Sequence, residues 1–351
     1  MAERILVVAG EPSGDRTLAG VVRALGRRAF GFGGDALARE GVELVAHVRE
    51  LGGMGVIEAA GRAPSIALAL TRLARAIARE RPRLALLASW SSSNARLGAV
   101  LHRAGVRVAW ISPPEIWAWR ASRAPRIARS VDLLIPTLPF EEALWRESGG
   151  NAHYVGHPAL DVPFESGSGR GLAVLPGSRP SEVSRLLPMF VEAARCTGLN
   201  ARLLVAPSLD AATRERILGA GLPVLEAPDG AAPLLSSFDV ALVASGTAAL
   251  EAAVMGVPPV IAYALHPLTY AIARRVVNVA HVGLPNVLLS RAGHAPIFPE
   301  RLQDDATPAS LAASILQIDA RHREACRTVR ALLGEPGFAV RAAALVEGLA
   351  R

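Results

Sequence analysis

At 351 residues, 51% of them hydrophobic, the chain is long for one core and suits two domains of ordinary size. All 38 basic residues are arginine, which excludes a lysine Schiff base and the lysine of a P-loop. The formal charge of +7 is scattered rather than blocked, a general lean toward anions that gives nucleic acid no footprint.

Cys196 and Cys326 lack the spacing of a metal knuckle or redox pair, so they read as ordinary thiols in a reducing compartment and no metal site is expected. The apolar run Ile5 to Ala9 follows no signal-peptide pattern. Apolar stretches elsewhere break well short of the roughly 20 residues a membrane span requires, so any membrane contact is expected to be peripheral.

From the start, short apolar runs alternate with helical patterns. Ile5 to Ala9, Leu84 to Ala88, Val106 to Ile111 and Leu133 to Ile135 read as buried parallel strands, and Leu18 to Leu25, Ile66 to Arg79 and Arg96 to Arg103 as helices between them. This alternation predicts an open, doubly wound α/β sheet. After the first strand, Gly10-Glu11-Pro12-Ser13-Gly14-Asp15 is a turn into a helix, and Glu11 and Asp15 exceed what a capped turn needs. Gly31-Phe32-Gly33-Gly34 and Gly52-Gly53-Met54-Gly55 read as flexible or closely approached backbone, with Glu58 on a helix beyond. Ile66 to Arg79 is an apolar helix with arginines on part of its surface, the pattern either of a sheet cover or of a helix lying at a membrane. Pro113 to Arg120 carries Trp117, Trp119 and Arg120 at a strand end, either as core or as the wall of an acyl or sugar site.

His157 in Gly156-His157-Pro158 marks a hinge, and Pro163 to Gly171 is rich in Pro, Gly and Ser. The reading is a first domain over 1–160, a second over 161–335, and a terminal helix over 336–351 that returns to the first. In the second domain, strands fall at Leu172 to Leu175, Ala201 to Val205, Val240 to Ala244 and Pro259 to Tyr263. The turn Leu175 to Glu182 offers Gly177 and Ser178 for close backbone approach and Arg179 either for a diphosphate or for solvent. Ala244 to Glu251 is a strand turning directly into a helix: Ser245 or Thr247 caps it, Gly246 admits a ligand, and the free amides suit a phosphate. Glu251, about one turn on, suits a sugar hydroxyl. Asn286 in Gly283-Leu284-Pro285-Asn286 and Gln303 in Leu302 to Asp305 lie on short polar loops, and His266 in the turn after Tyr263.

In this order the segments Gly10 to Asp15, Ser112 to Arg120, Leu175 to Glu182 and Ala244 to Glu251, with Gly156-His157-Pro158 and Leu284-Pro285-Asn286, resemble the lipid-A-disaccharide synthase family over nearly the whole chain. That family comprises inverting glycosyltransferases of GT-B architecture, two Rossmann-like domains with a cleft between them. The resemblance implies transfer of diacylglucosamine from UDP-diacylglucosamine to diacylglucosamine 1-phosphate, releasing UDP, without metal or cofactor, at the cytoplasmic face of the inner membrane, with a homodimer among the expected states. It implies acceptor binding by the first domain and UDP binding by the second, through Gly177, Ser178, Arg179, Ser245, Gly246, Thr247 and Glu251, with Asn286 and Gln303 contributing.

The chain departs from the family at Ser89-Trp90-Ser91-Ser92-Ser93-Asn94. Ser92 stands where the family has its general-base aspartate, Ala264 replaces an arginine and His266 a lysine. A serine hydroxyl is a poor base, so the catalytic expectation passes to Glu11, Asp15, Glu58 or a water relay. The alternative is a relative that binds UDP-sugar or lipid without turnover.

Overall fold

The computed structural model describes residues 4–51, 63–164, 170–207, 209–264 and 279–350. Gly52 to Gly55, Glu58 and His266 lie outside the described residues.

The chain divides into two units, one of residues 1–161 with 335–351 and one of residues 162–334. Each holds a six-stranded, all-parallel sheet. In the first, β1 (Ile5–Ala9), β2 (Ala29–Gly33), β3 (Glu43–His47), β4 (Leu84–Ala88), β5 (Arg107–Ile111) and β6 (Leu133–Ile135) lie in the order β3-β2-β1-β4-β5-β6. In the second, β7 (Leu172–Leu175), β8 (Ala201–Val205), β9 (Val224–Glu226), β10 (Val240–Ala244), β11 (Pro259–Tyr263) and β12 (Glu300–Leu302) lie in the order β12-β11-β10-β7-β8-β9. Counted within its own unit, this is the same Rossmann order, with a topological switch point between β1 and β4 and another between β7 and β10.

The strands form because their apolar runs are buried on both faces. Ile5, Val7 and Ala9 join one core of the first unit, while Leu6 and Val8 join the core on the opposite face. The first helix, Pro12–Leu25, begins with proline in its first turn and ends at Gly26 in the left-handed conformation, φ 61°. Four strands are absent from the sequence reading: β2, β3, β9 and β12. At β2 the structure decides between the two readings of Gly31 to Gly34 in favour of closely approached backbone. Gly31 and Gly33 lie in a buried strand, and a Cβ on Gly31 would collide with the carbonyl oxygen of Val7.

Helix Phe338–Ala350 belongs to the first unit and packs against helix Pro12–Leu25. Asp161 starts it: Oδ1 accepts from the amides of Gly337 (2.6 Å) and Phe338 (2.9 Å), and Oδ2 from that of Ala339 (2.9 Å). Arg341 then donates to the carbonyls of Val155, Pro336 and Glu335. His157 is buried and neutral, its pKa lowered to about 4 by burial, with Asp161 opposing; Nδ1 accepts from the amide of Ala159 at 3.1 Å. It is a structural residue of this junction. No helix among the described residues is long and apolar enough to cross a membrane.

Candidate functional site

In the second unit, the turns after β7 and β10 flank the switch point, where ligands of such sheets bind. Gly177 has φ 119°, and a Cβ there would meet Glu182 Oε2 at 2.6 Å. The same oxygen accepts from the amide of Ser178 (3.2 Å), while Glu182 Oε1 pairs with Arg179 Nη1 (3.0 Å). Arg179, extended at the head of helix Pro180–Thr197, keeps 45% of its side chain exposed. Tyr263, at the end of β11, lies close to this pair: burial and then the Glu182 charge push its phenol pKa up.

After β10, Gly246 heads helix Thr247–Val254 with φ 150° and ψ −160°, and no atom stands within 4 Å of where its Cβ would be. No side chain caps this helix. The Ala249 amide already donates to the Gly246 carbonyl at 3.3 Å, and the dipole makes the preceding amides, of Thr247 and Ala248, a seat for an anion. The expectation of a cap from Ser245 or Thr247 is corrected, since Ser245 Oγ instead donates to the carbonyl of Val282 at 2.9 Å. Glu251 lies half-buried on the same helix, one turn on.

Asn286 is placed differently from the expectation. Helix Leu284–Arg291 carries it inward, where Nδ2 donates to the Phe298 carbonyl (2.8 Å) and Glu300 Oε1 (2.7 Å), and Oδ1 accepts from the Phe298 amide (3.1 Å). It is a brace. Glu300, which the sequence reading missed, is the hub: it also accepts from the amides of Val282 (2.9 Å) and Gly283 (3.2 Å). Gln303 opens the short 3-10 turn after β12 in the left-handed conformation, φ 51°.

In the first unit, Glu11 is half-buried at the head of helix Pro12–Leu25, following β1. Asp15, by contrast, is buried and committed: Oδ1 accepts from the amides of Gly34 (2.6 Å) and Leu37 (3.3 Å), and Oδ2 from that of Ala36 (3.0 Å). Both oxygens hold helix Asp35–Arg39 in place, which removes Asp15 from the candidate bases.

Beyond β4, Ser89 (φ 49°) and Trp90 (φ 48°) take successive left-handed conformations. Asn94 Nδ2 supports them by donating to the carbonyls of Ala88 and Ser89, each at 3.0 Å. Trp90 packs over Gly10, where any Cβ would strike the indole. Ser92 is exposed in the first turn of helix Ser91–Arg103.

Two further carboxyls, neither expected, lie past β5 and β6. Glu115 is exposed, yet desolvation by the surrounding protein and then the charge of Glu11 raise its pKa to about 6. Glu141 is buried and raised to about 8 by burial and then Glu115, against the hydrogen bonds it accepts from Trp117 Nε1 (2.9 Å) and the Leu138 amide (3.1 Å). Trp117 therefore packs and hydrogen-bonds inside the unit, edge-on to Phe140 at 5.5 Å. The signal available in the sequence was a glutamate just after each strand end, Ile111 and Ile135. Among the described residues no cluster of metal-binding side chains occurs.

A family model described as Lipid-A-disaccharide synthetase matches residues 5–331. The chain is 40% identical to the lipid-A-disaccharide synthase of Anaeromyxobacter dehalogenans, covering 100% of this chain and 98% of the relative. It is also 40% identical to that of Myxococcus xanthus, covering 97% and 96%. Among solved structures, S. aureus MnaA with UDP is similar at TM-score 0.65 and 14% identity, covering 97% of this chain and 94% of that one. Acinetobacter baumannii MurG is similar at TM-score 0.55 and 13% identity, covering 99% and 100%. The likeness to solved structures carries the fold, GT-B, and the matches in sequence carry the rest: this chain belongs to the lipid-A-disaccharide synthase family of glycosyltransferases.

Proposed function

We propose that the second unit binds UDP-diacylglucosamine with its diphosphate at the start of helix Thr247–Val254, and that the first unit presents diacylglucosamine 1-phosphate. The acceptor hydroxyl attacks the anomeric carbon. A carbon–oxygen bond forms as the bond to UDP breaks, UDP leaves, and the hydroxyl proton passes to a carboxylate. The developing charge on UDP is met by the amides of Thr247 and Ala248 and by Arg179, which exchanges Glu182 for phosphate. UDP-sugar is a substrate here, and the reading assigns no cofactor or metal.

Ser92 is no base near neutral pH. Past the strand ends of this sheet, Asp15 and Glu141 are committed to hydrogen bonds within the fold and Asp35 pairs with Arg49; between Glu11 and Glu115 we assign proton acceptance to Glu115, whose pKa of about 6 suits a base working near neutrality. Desolvation sets that value and the charge of Glu11 adds to it. For the lipid surface, helix Ala63–Glu80 exposes Leu68 and Leu70 beside Arg72 and Arg75, in keeping with peripheral attachment to the inner face of the membrane.

The observation that carries the donor site is the open space at Gly246 beside an uncapped helix start. Titration of UDP into the chain, with Gly246→Val compared by calorimetry, tests it. A tenfold or greater loss in the variant, with melting unchanged, is expected, and about 1.4 kcal/mol corresponds to each tenfold. Equal affinities would remove the diphosphate from this turn.

A further inference from the structure

Past β5 the first unit holds a group of side chains to which the donor site and the base give no role. Trp119 is exposed to 38%, and two guanidiniums stack on its indole, Arg120 at 4.3 Å and Arg123 at 5.1 Å from a ring centroid to Cζ. Arg120 heads the 3-10 turn Ala121–Arg123 in the left-handed conformation, φ 53° and ψ 50°. In such a turn residues three apart lie on one side, and the Arg123 amide donates to the Arg120 carbonyl at 3.1 Å. The backbone thus brings two positive side chains to one indole. Several arginines of this unit are met by acids, as Arg107 by Asp132 and Arg146 by Glu142. Among the described residues neither Arg120 nor Arg123 has a carboxylate partner, and Arg123 Nε is buried without a hydrogen-bond acceptor. Burial and then the Arg120 charge lower the pKa of Arg123.

We propose that Trp119, Arg120 and Arg123 form a binding site for a phosphate monoester, the anomeric phosphate of the acceptor sugar. A monoester carries close to two negative charges at neutral pH, which matches two guanidiniums where a single phosphodiester charge does not. Stacking on the indole fixes each guanidinium plane and leaves its N–H edge for oxygen. The group follows β5, the strand whose end also bears Glu115, so a phosphate held here and the proton acceptor share one loop. The inference rests on the acceptor reading above.

The test uses the full chain and its Arg120→Ala and Arg123→Lys variants, with diacylglucosamine 1-phosphate and dephosphorylated diacylglucosamine as acceptors. Arg120 is exposed, so its variant is expected to fold, and melting checks this. For Arg120→Ala, an acceptor KM raised about ten- to a hundredfold is expected, with donor KM unchanged, from the loss of one charge-assisted contact. The preference for the phosphorylated acceptor should shrink by the same factor, and Arg123→Lys, which keeps charge without the planar fork, should fall between. Equal losses on both acceptors would overturn the proposal. So would loss of binding to phosphatidic acid vesicles with acceptor KM unchanged, which would give the site to a lipid headgroup. Glucosamine 1-phosphate, titrated calorimetrically, separates the two readings. Arginine-dependent binding without turnover would support the site and count against the acceptor reading, whereas equal binding by the native chain and Arg120→Ala would overturn the site itself.

Discussion

A general base is most useful when it is ionised at the working pH yet still holds a proton well, and Glu115 meets both conditions with its pKa raised to about 6. Glu115→Gln is expected to lower kcat by about 10²- to 10⁴-fold with little change in either KM. In the native chain the rate should fall as pH drops through about 6, because protonation removes the acceptor for the proton. A pH–rate profile that stays flat from 5 to 8 would contradict the assignment. Arg179→Ala should reduce kcat/KM about ten- to a hundredfold, the scale of one charge-assisted hydrogen bond, as read from steady-state rates with donor varied. At this scale the sequence shows which turns carry polar groups but not how those groups are spent. Asp15 and Asn286 look like free chemistry in a string of letters, and both are consumed by backbone groups far along the chain, Gly34 and Phe298 among them. Glu115 escapes notice for the converse reason: its environment is made by the protein around it and then by Glu11 from another strand end.

Between elements, buried acids act as fasteners. Glu141 ties the loop of Trp117 to the head of helix Glu141–Glu147 while nearly without solvent. Its pKa rises from 4.5 to about 8, so the folded state binds the proton more tightly than the unfolded one. That contribution to stability is fully present below about pH 4.5 and is lost as pH rises through about 8. The melting advantage of the native chain over Glu141→Gln should therefore shrink by a few degrees between pH 5 and pH 8.5, and a constant difference would show that the carboxyl is not buried as described. Asp161 does similar work for helix Phe338–Ala350. Asp161→Ala should cost about 0.5–2 kcal/mol, with faster amide exchange at Gly337 to Ala339. Most strands are legible because an unbroken apolar run buried on both faces has few other readings. The strand Ala29–Gly33 is not, since Gly31, which serves the close approach to Val7, and Gly33 break its apolar run.

Over the whole molecule, one strand order used twice sets the candidate groups at the carboxyl ends of two sheets. The two-domain α/β architecture was readable from alternation alone, whereas β3, β9 and β12 were not, being only partly buried. The account makes the first unit the holder of the acceptor and of the base, and the second the holder of the UDP-sugar. Its most direct test is the formation of disaccharide and UDP from UDP-diacylglucosamine and diacylglucosamine 1-phosphate by the native chain, beside Glu115→Gln and Ser92→Asp. Turnover by the native chain with Ser92 in place is expected, with its near loss in Glu115→Gln. A native chain that binds both substrates without turnover and gains activity only as Ser92→Asp would contradict it.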